Sequence, residues 1–152
     1  MEIAGARTIT IAARADDVWR LVADVTRMPE WSPHVRSCRW EPPATGPALG
    51  ARFTTTVALP VVRRWTNTST VVRCEPGRFF GFAVGSDADD PNTVWEYEFE
   101  ADGERTVVTE RWEMRREPGI VLAYYRLIGQ ERRLARGVEQ TLERLRVAAE
   151  RQ

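Results

Sequence analysis

The sequence predicts an α+β fold: a curved, seven-stranded antiparallel sheet around a long C-terminal helix, with two short helices after the first strand. Three observations predict it. Six strand-like segments separated by turn residues follow one another between residues 34 and 115. The clearest of them, Val94–Glu100, alternates Trp95, Tyr97 and Phe99 with Glu96, Glu98 and Glu100, so that one face is dry and the other wet. After Pro118-Gly119 the apolar period becomes helical and stays so almost to the end. Helices and strands do not alternate, which argues against a parallel, doubly wound sheet.

The elements follow in order. Ala6–Ala12 sets Ile9 and Ile11 against Thr8 and Thr10, the period of a half-buried strand. Ala15–Asp24 collects Val18, Trp19, Leu21 and Val22 on one helical face, with Asp16 and Asp17 near the N-terminus where carboxylates suit the macrodipole. Thr26–Pro33 holds two prolines in eight residues and can form at most a short helix ended by Pro33. Strands are then expected at 34–41, 50–59, 63–75, 78–86, 92–101 and 105–115, with the Asp102-Gly103 dipeptide as a hairpin signal before the last. In the final helix Leu134, Val138, Thr141, Leu142, Leu145 and Ala149 recur at three- and four-residue steps. Thirty helical residues span about 45 Å, enough to cross a whole domain, so the sheet must grip this helix.

The chain of 152 residues contains no Pro/Gly/Ser-rich linker, and a single domain over 1–152 is expected. A domain of this size buries roughly two thirds of its unfolded surface and needs neither disulfide nor structural metal. Basic and acidic residues balance at 22 each, which points away from nucleic acid and anionic membranes as partners. The basic residues are all arginine, a bias that suggests a GC-rich bacterial source. No segment reaches the length of a membrane span and no signal-peptide pattern opens the chain, so a cytoplasmic location is expected. Cys38 and Cys74 form no C-x-x-C pair and are expected as reduced thiols.

Motifs for nucleotide binding, serine hydrolysis and zinc proteolysis are absent, and one histidine cannot build a triad or a histidine-rich metal site. No cofactor or metal is expected. Six tryptophans are many for this length, and Trp40, Trp65, Trp95 and Trp112 fall in predicted strands. Rings of this size serve equally as core and as rigid walls for a flat or greasy ligand. Glu96, Glu98 and Glu100 lie opposite the aromatic set and read as a solvated surface. Glu110 is different, because it shares a parity with Val108, Trp112 and Met114; if Trp112 faces inward, so does Glu110, and a buried carboxylate needs a partner or a raised pKa. On the strand after Arg63, Trp65, Asn67, Ser69, Val71 and Arg73 share one face, where Asn67 and Ser69 would orient a ligand.

The chain also resembles a family. V-W-R-L-V-A-D at Val18–Asp24 and R-M-P-E-W-S-P at Arg27–Pro33 are similar to the opening helix pair of the START-like (SRPBCC) superfamily, which includes polyketide cyclases/dehydrases and the birch-pollen-allergen fold. G-A-R-F at Gly50–Phe53, Arg64-Trp65, Glu75-Pro76 and W-x-Y-x-F at Trp95–Phe99 extend the resemblance over nearly the whole chain. It implies a helix-grip fold with an internal cavity, and it places His34 at the cavity mouth. Fold does not fix function here, since the superfamily spans enzymes, carriers and receptors. In its aromatase/cyclase members, the resemblance implies, an Arg four positions after the strand Trp stabilises an enolate; Ser69 stands there in this chain.

The expected function is binding of a hydrophobic small molecule, a lipid, polyketide or aromatic metabolite, between sheet and helix. The expected lining is Phe53, Trp65, Asn67, Ser69, Phe80, Phe82, Trp95, Tyr97, Trp112, Tyr124, Leu127 and Ile128. The alternatives are a polyketide cyclase/dehydrase-like enzyme with His34 and Glu110 sharing acid/base work, and a non-enzymatic interaction module of the same fold. The chain is expected as a monomer or homodimer.

Overall fold

A computed structural model of the protein describes residues 3–58, 64–115 and 130–151. The elements are β1 (Ile3–Ile11), α1 (Ala15–Ala23), a 3-10 helix (Val25–Glu30), β2 (Val35–Trp40), β3 (Arg52–Val57), β4 (Trp65–Glu75), β5 (Phe79–Val84), β6 (Thr93–Asp102), β7 (Arg105–Met114) and α2 (Gln130–Glu150). They form one seven-stranded sheet in the order β1-β7-β6-β5-β4-β3-β2, antiparallel throughout. The strands run in meander from β2 to β7, and β1 closes the far edge beside β7. The helical expectation for residues 119–129 lies outside the described residues.

Two local details differ from the sequence reading. The hairpin between β6 and β7 pairs Asp102 with Arg105, so Asp102 belongs to the ladder and the loop is Gly103-Glu104. Its first position carries φ +63°, which glycine adopts without steric cost. In β4 the pairing jumps from Val71 opposite Phe82 to Arg73 opposite Gly81. The extra residue is Val72, and a bulge of this kind reverses the side-chain alternation beyond it. Arg73 therefore leaves the face of Trp65, Asn67, Ser69 and Val71 and joins Glu75 and Glu96 on the outer surface, each at 3.0 Å. Cys74, opposite the buried Phe80, takes the inner position instead.

The layer facing the sheet is built at one end first. Trp19 of α1 donates from Nε1 to the Phe79 carbonyl at 2.9 Å and sets its ring edge-on to Phe80. The 3-10 helix is short: Asp24 caps its start by accepting from the Thr26 amide and hydroxyl, Pro29 lies within it, and Pro33 follows it. α2 then runs along the concave face. A Cβ on Gly137 would stand 3.9 Å from His34 Nε2, Glu139 receives the Arg7 guanidinium at 3.0 Å, and Glu150 accepts from the Ala12 amide at 3.0 Å. The helix thus passes from the start of β2 to the end of β1. Its predicted apolar stripe, Val138, Leu142, Leu145 and Ala149, is buried.

Gly5 of β1 lies opposite Trp112, and a Cβ there would meet the indole Cζ2 at 2.3 Å. Absence of a side chain is what lets this ring lie flat against β1. Gly5→Ala is expected to overpack the site and destabilise the fold by about 1–3 kcal/mol, read as a lower midpoint in denaturant with a shifted tryptophan emission.

Candidate functional site

In β3 to β7 the inner-facing positions become wetter in one direction. In β3 the sequence Phe53, Thr55, Val57 goes from buried to half-buried; in β5 Phe80, Phe82, Val84 does the same. In β6 the order is Phe99, Tyr97, Trp95, in β7 Val108, Glu110, Trp112, Met114, and in β4 Val71, Ser69, Asn67 and finally Trp65, which is 37% exposed. All five gradients point to the end where β4 begins and β7 finishes. The opposite end is sealed by Ile11, Phe99 and Val108 under Leu142, Leu145 and Ala149. Among the described residues, the inner face of the sheet is therefore fully buried toward one end and more exposed toward the other.

The aromatic expectations divide accordingly. Trp40, Phe53, Phe82 and Phe80 form a continuous run of edge-on and tilted rings with centroids 5.2–6.2 Å apart. This is the packed floor. Trp95 and Trp112 stand side by side at 6.3 Å nearer the open end, and Trp65, on the same inner parity, lies at the rim. Ser69 is buried and Asn67 half-buried between floor and rim. Tyr124, Leu127 and Ile128 lie outside the described residues. Two shallow surface depressions of about 470 and 420 Å³, beside Phe79 and Ala13, sit at the sealed end and play no part in this layer.

Glu110 faces inward, as its parity predicted, and is only 3% exposed. Tyr97, in register on β6, donates its hydroxyl to Glu110 Oε1 at 2.7 Å; among the described residues Oε2 has no hydrogen-bond partner. Burial pushes the Glu110 carboxyl up to about 8 against the smaller opposing pull of the Tyr97 hydrogen bond. Burial and the adjacent carboxyl raise the Tyr97 phenol well above its usual value. The pair is thus neutral at pH 7. A neutral acid fits an interior without a counter-ion, where a bare carboxylate would cost several kcal/mol.

Sequence reasoning missed Arg7. It stands opposite Glu110 on β1, yet its guanidinium reaches Glu139 of α2 and lies over the Trp112 ring at 5.9 Å. The signal was present, because Arg7 shares the parity of Ile9 and Ile11. His34 lies before β2, largely exposed and beside Gly137. Partial burial and Arg36 lower its pKa, so its imidazole is neutral at pH 7. β2 and β7 are separated by four strands, and no hydrogen bond joins His34 to Glu110. Cys38 is buried beside Thr55, and burial pushes its thiol up to about 11, which makes it a small apolar side chain and not a nucleophile.

Comparison with known proteins places this architecture. Residues 3–150 match the family described as polyketide cyclase / dehydrase and lipid transport. The chain belongs to that family. A polyketide-cyclase-like protein of Corynebacterium glutamicum is 35% identical over 98% of this chain and 83% of its own, with a TM-score of 0.55. The Zhui aromatase/cyclase from Streptomyces shares the fold at 19% identity and a TM-score of 0.73, over 99% of this chain and 95% of its own. The two-domain aromatase/cyclase StfQ of the steffimycin pathway does so at 18% and 0.76, and this chain, covered over 99%, spans about half (51%) of its length. No curated protein matches. Among the described residues of this polyketide cyclase/dehydrase family member, no helix is long and apolar enough to cross a membrane.

The buried acid makes stability depend on pH. Its folded pKa, about 8, exceeds the ordinary 4.5, so the folded state holds the proton more tightly than the unfolded chain. The contribution is complete below pH 4.5 and is lost as pH rises to about 8. Glu110→Gln, which cannot ionise, is expected to gain on the wild type through that window by up to about 1.4 kcal/mol per pH unit and to show no such gain at pH 4, as urea denaturation across pH will measure.

Proposed function

We propose that the protein binds a hydrophobic small molecule, a lipid, polyketide or aromatic metabolite, between the concave sheet and α2. The ligand enters at the rim marked by Trp65 and His34. The single observation that carries this reading is the common direction of the exposure gradients in β3 to β7: large rings and small polar groups face an interior that water reaches from one end. Such a layer suits a ligand whose apolar body displaces water against Trp95, Trp112 and Phe82, with Asn67 and Ser69 offering neutral hydrogen bonds. The relatedness to aromatase/cyclases supports the class of ligand. The half-exposed tryptophans supply the test. A flavonoid or a fatty acid is expected to quench their emission saturably and to stay bound in native mass spectrometry. Asn67→Trp, which fills the passage without touching the floor, should weaken binding at least about tenfold, or 1.4 kcal/mol. Failure of every such probe to bind sinks the proposal.

A cyclase/dehydrase-like activity is the second reading, favoured by one observation: Glu110 is a neutral acid inside the layer, positioned to protonate a bound ketide. His34, at the rim, would serve as the other acid/base group. Unchanged turnover of an accepted polyketide by both His34→Ala and Glu110→Gln removes this reading and leaves the carrier.

A further inference from the structure

Among the described residues, Oε2 of Glu110 is the only buried side-chain oxygen or nitrogen without a hydrogen bond. Its surroundings narrow what can satisfy it. Tyr97 of β6 already donates to Oε1 at 2.7 Å. Arg7 of β1, the cation in register with Glu110, is occupied by Glu139 of α2 and the Ala6 carbonyl. The inner positions flanking Glu110 on its own strand, Val108 and Trp112, are apolar. With no counter-charge among the described residues, this buried carboxyl keeps its proton, and a protonated carboxyl holding an acceptor bond on one oxygen has one hydrogen left to give from the other. Buried donors of this kind demand an acceptor.

We propose that the Tyr97–Glu110 pair is a specificity element, in which Tyr97 fixes the carboxyl and Glu110 donates from Oε2 to a neutral acceptor oxygen, a ketone, ester or amide carbonyl, on the apolar ligand. This rests on the reading that the layer takes a ligand. Sites that hold a buried donor reject the analogue lacking the acceptor, because the donor is then stranded.

Three naphthalenes of one shape test it: methyl naphthyl ketone, isopropenyl naphthalene, in which a methylene replaces the carbonyl oxygen, and naphthyl ethylamine. The ketone is expected to bind roughly fivefold to tenfold tighter than the alkene. That margin persists in Glu110→Gln, whose amide also donates, and vanishes in Glu110→Leu. In the wild type it disappears as pH rises past about 8, where the carboxyl ionises, and in Glu110→Gln it is flat with pH. The other titratable groups nearby do not mimic this, since Tyr97 is raised well above 10 and His34 lies below 6.5. Should Glu110→Leu not fold, the contrast in pH profile between wild type and Glu110→Gln decides alone. Equal binding of ketone and alkene overturns the acceptor assignment while the cavity reading stands. Tighter binding of the amine than the ketone overturns it as well, by showing Glu110 to act as a carboxylate. Binding of none of the three overturns both.

Discussion

One helix cannot cover this sheet. Seven strands spaced about 4.8 Å apart make a surface near 29 Å wide, whereas a helix with its side chains is about 10–12 Å across. The sheet answers by curving, so that β1 and β2 at its two edges both reach α2, through Arg7 on Glu139 and through His34 beside Gly137. Curvature alone does not close the layer along its length. α1 and the 3-10 helix fill the far end, with Trp19 and Val25 packed into it, and toward the near end the described strand residues grow more exposed. The functional reading follows from that gradient of exposure.

The two faces of the sheet obey different electrostatics. Outside, Arg73–Glu96 and Arg111–Glu98 pair at 3.0 and 2.8 Å in solvent, where such bridges contribute little to stability and mainly keep the surface polar. Inside, each polar group is consequential because water cannot screen it. The interior resolves this with neutral chemistry: a thiol against a hydroxyl at Cys38 and Thr55, and an acid against a phenol at Glu110 and Tyr97. Among the described residues the guanidinium on that face, Arg7, is pulled to its edge by Glu139. An interior of this kind accepts apolar molecules and orients them with uncharged hydrogen bonds.

The residues bearing this argument were unevenly legible in the sequence. Parity alone put Glu110 inside, since Trp112 and Val108 two positions to either side fix which way an unbroken strand points. The same rule misassigned Arg73, because the bulge at Val72 inserts one residue, and nothing in T-V-V-R-C distinguishes a bulged strand from a regular one. The Asp102-Gly103 signal found the hairpin and missed its register by one residue. Arg7 escaped notice because an arginine two residues before Ile9 reads as an edge-strand charge until its partner, Glu139, is brought 3.0 Å away.

What depends on neighbours along the chain could be read from the residues: the alternation of the strands, the stripe of the last helix, the proline-limited second helix and, through them, the order of elements and the family. Those properties arise from periodicities of two and 3.6 residues that need no distant partner. The fold alone set the direction in which the layer becomes exposed, brought Glu110 to Tyr97 with one oxygen left bare, and put four strands between the strand of Glu110 and the one that His34 precedes. Each of these depends on strand register and on where a helix of 21 residues comes to rest against a sheet it cannot cover. Register and docking are set by contacts between residues far apart in sequence, which local pattern does not encode.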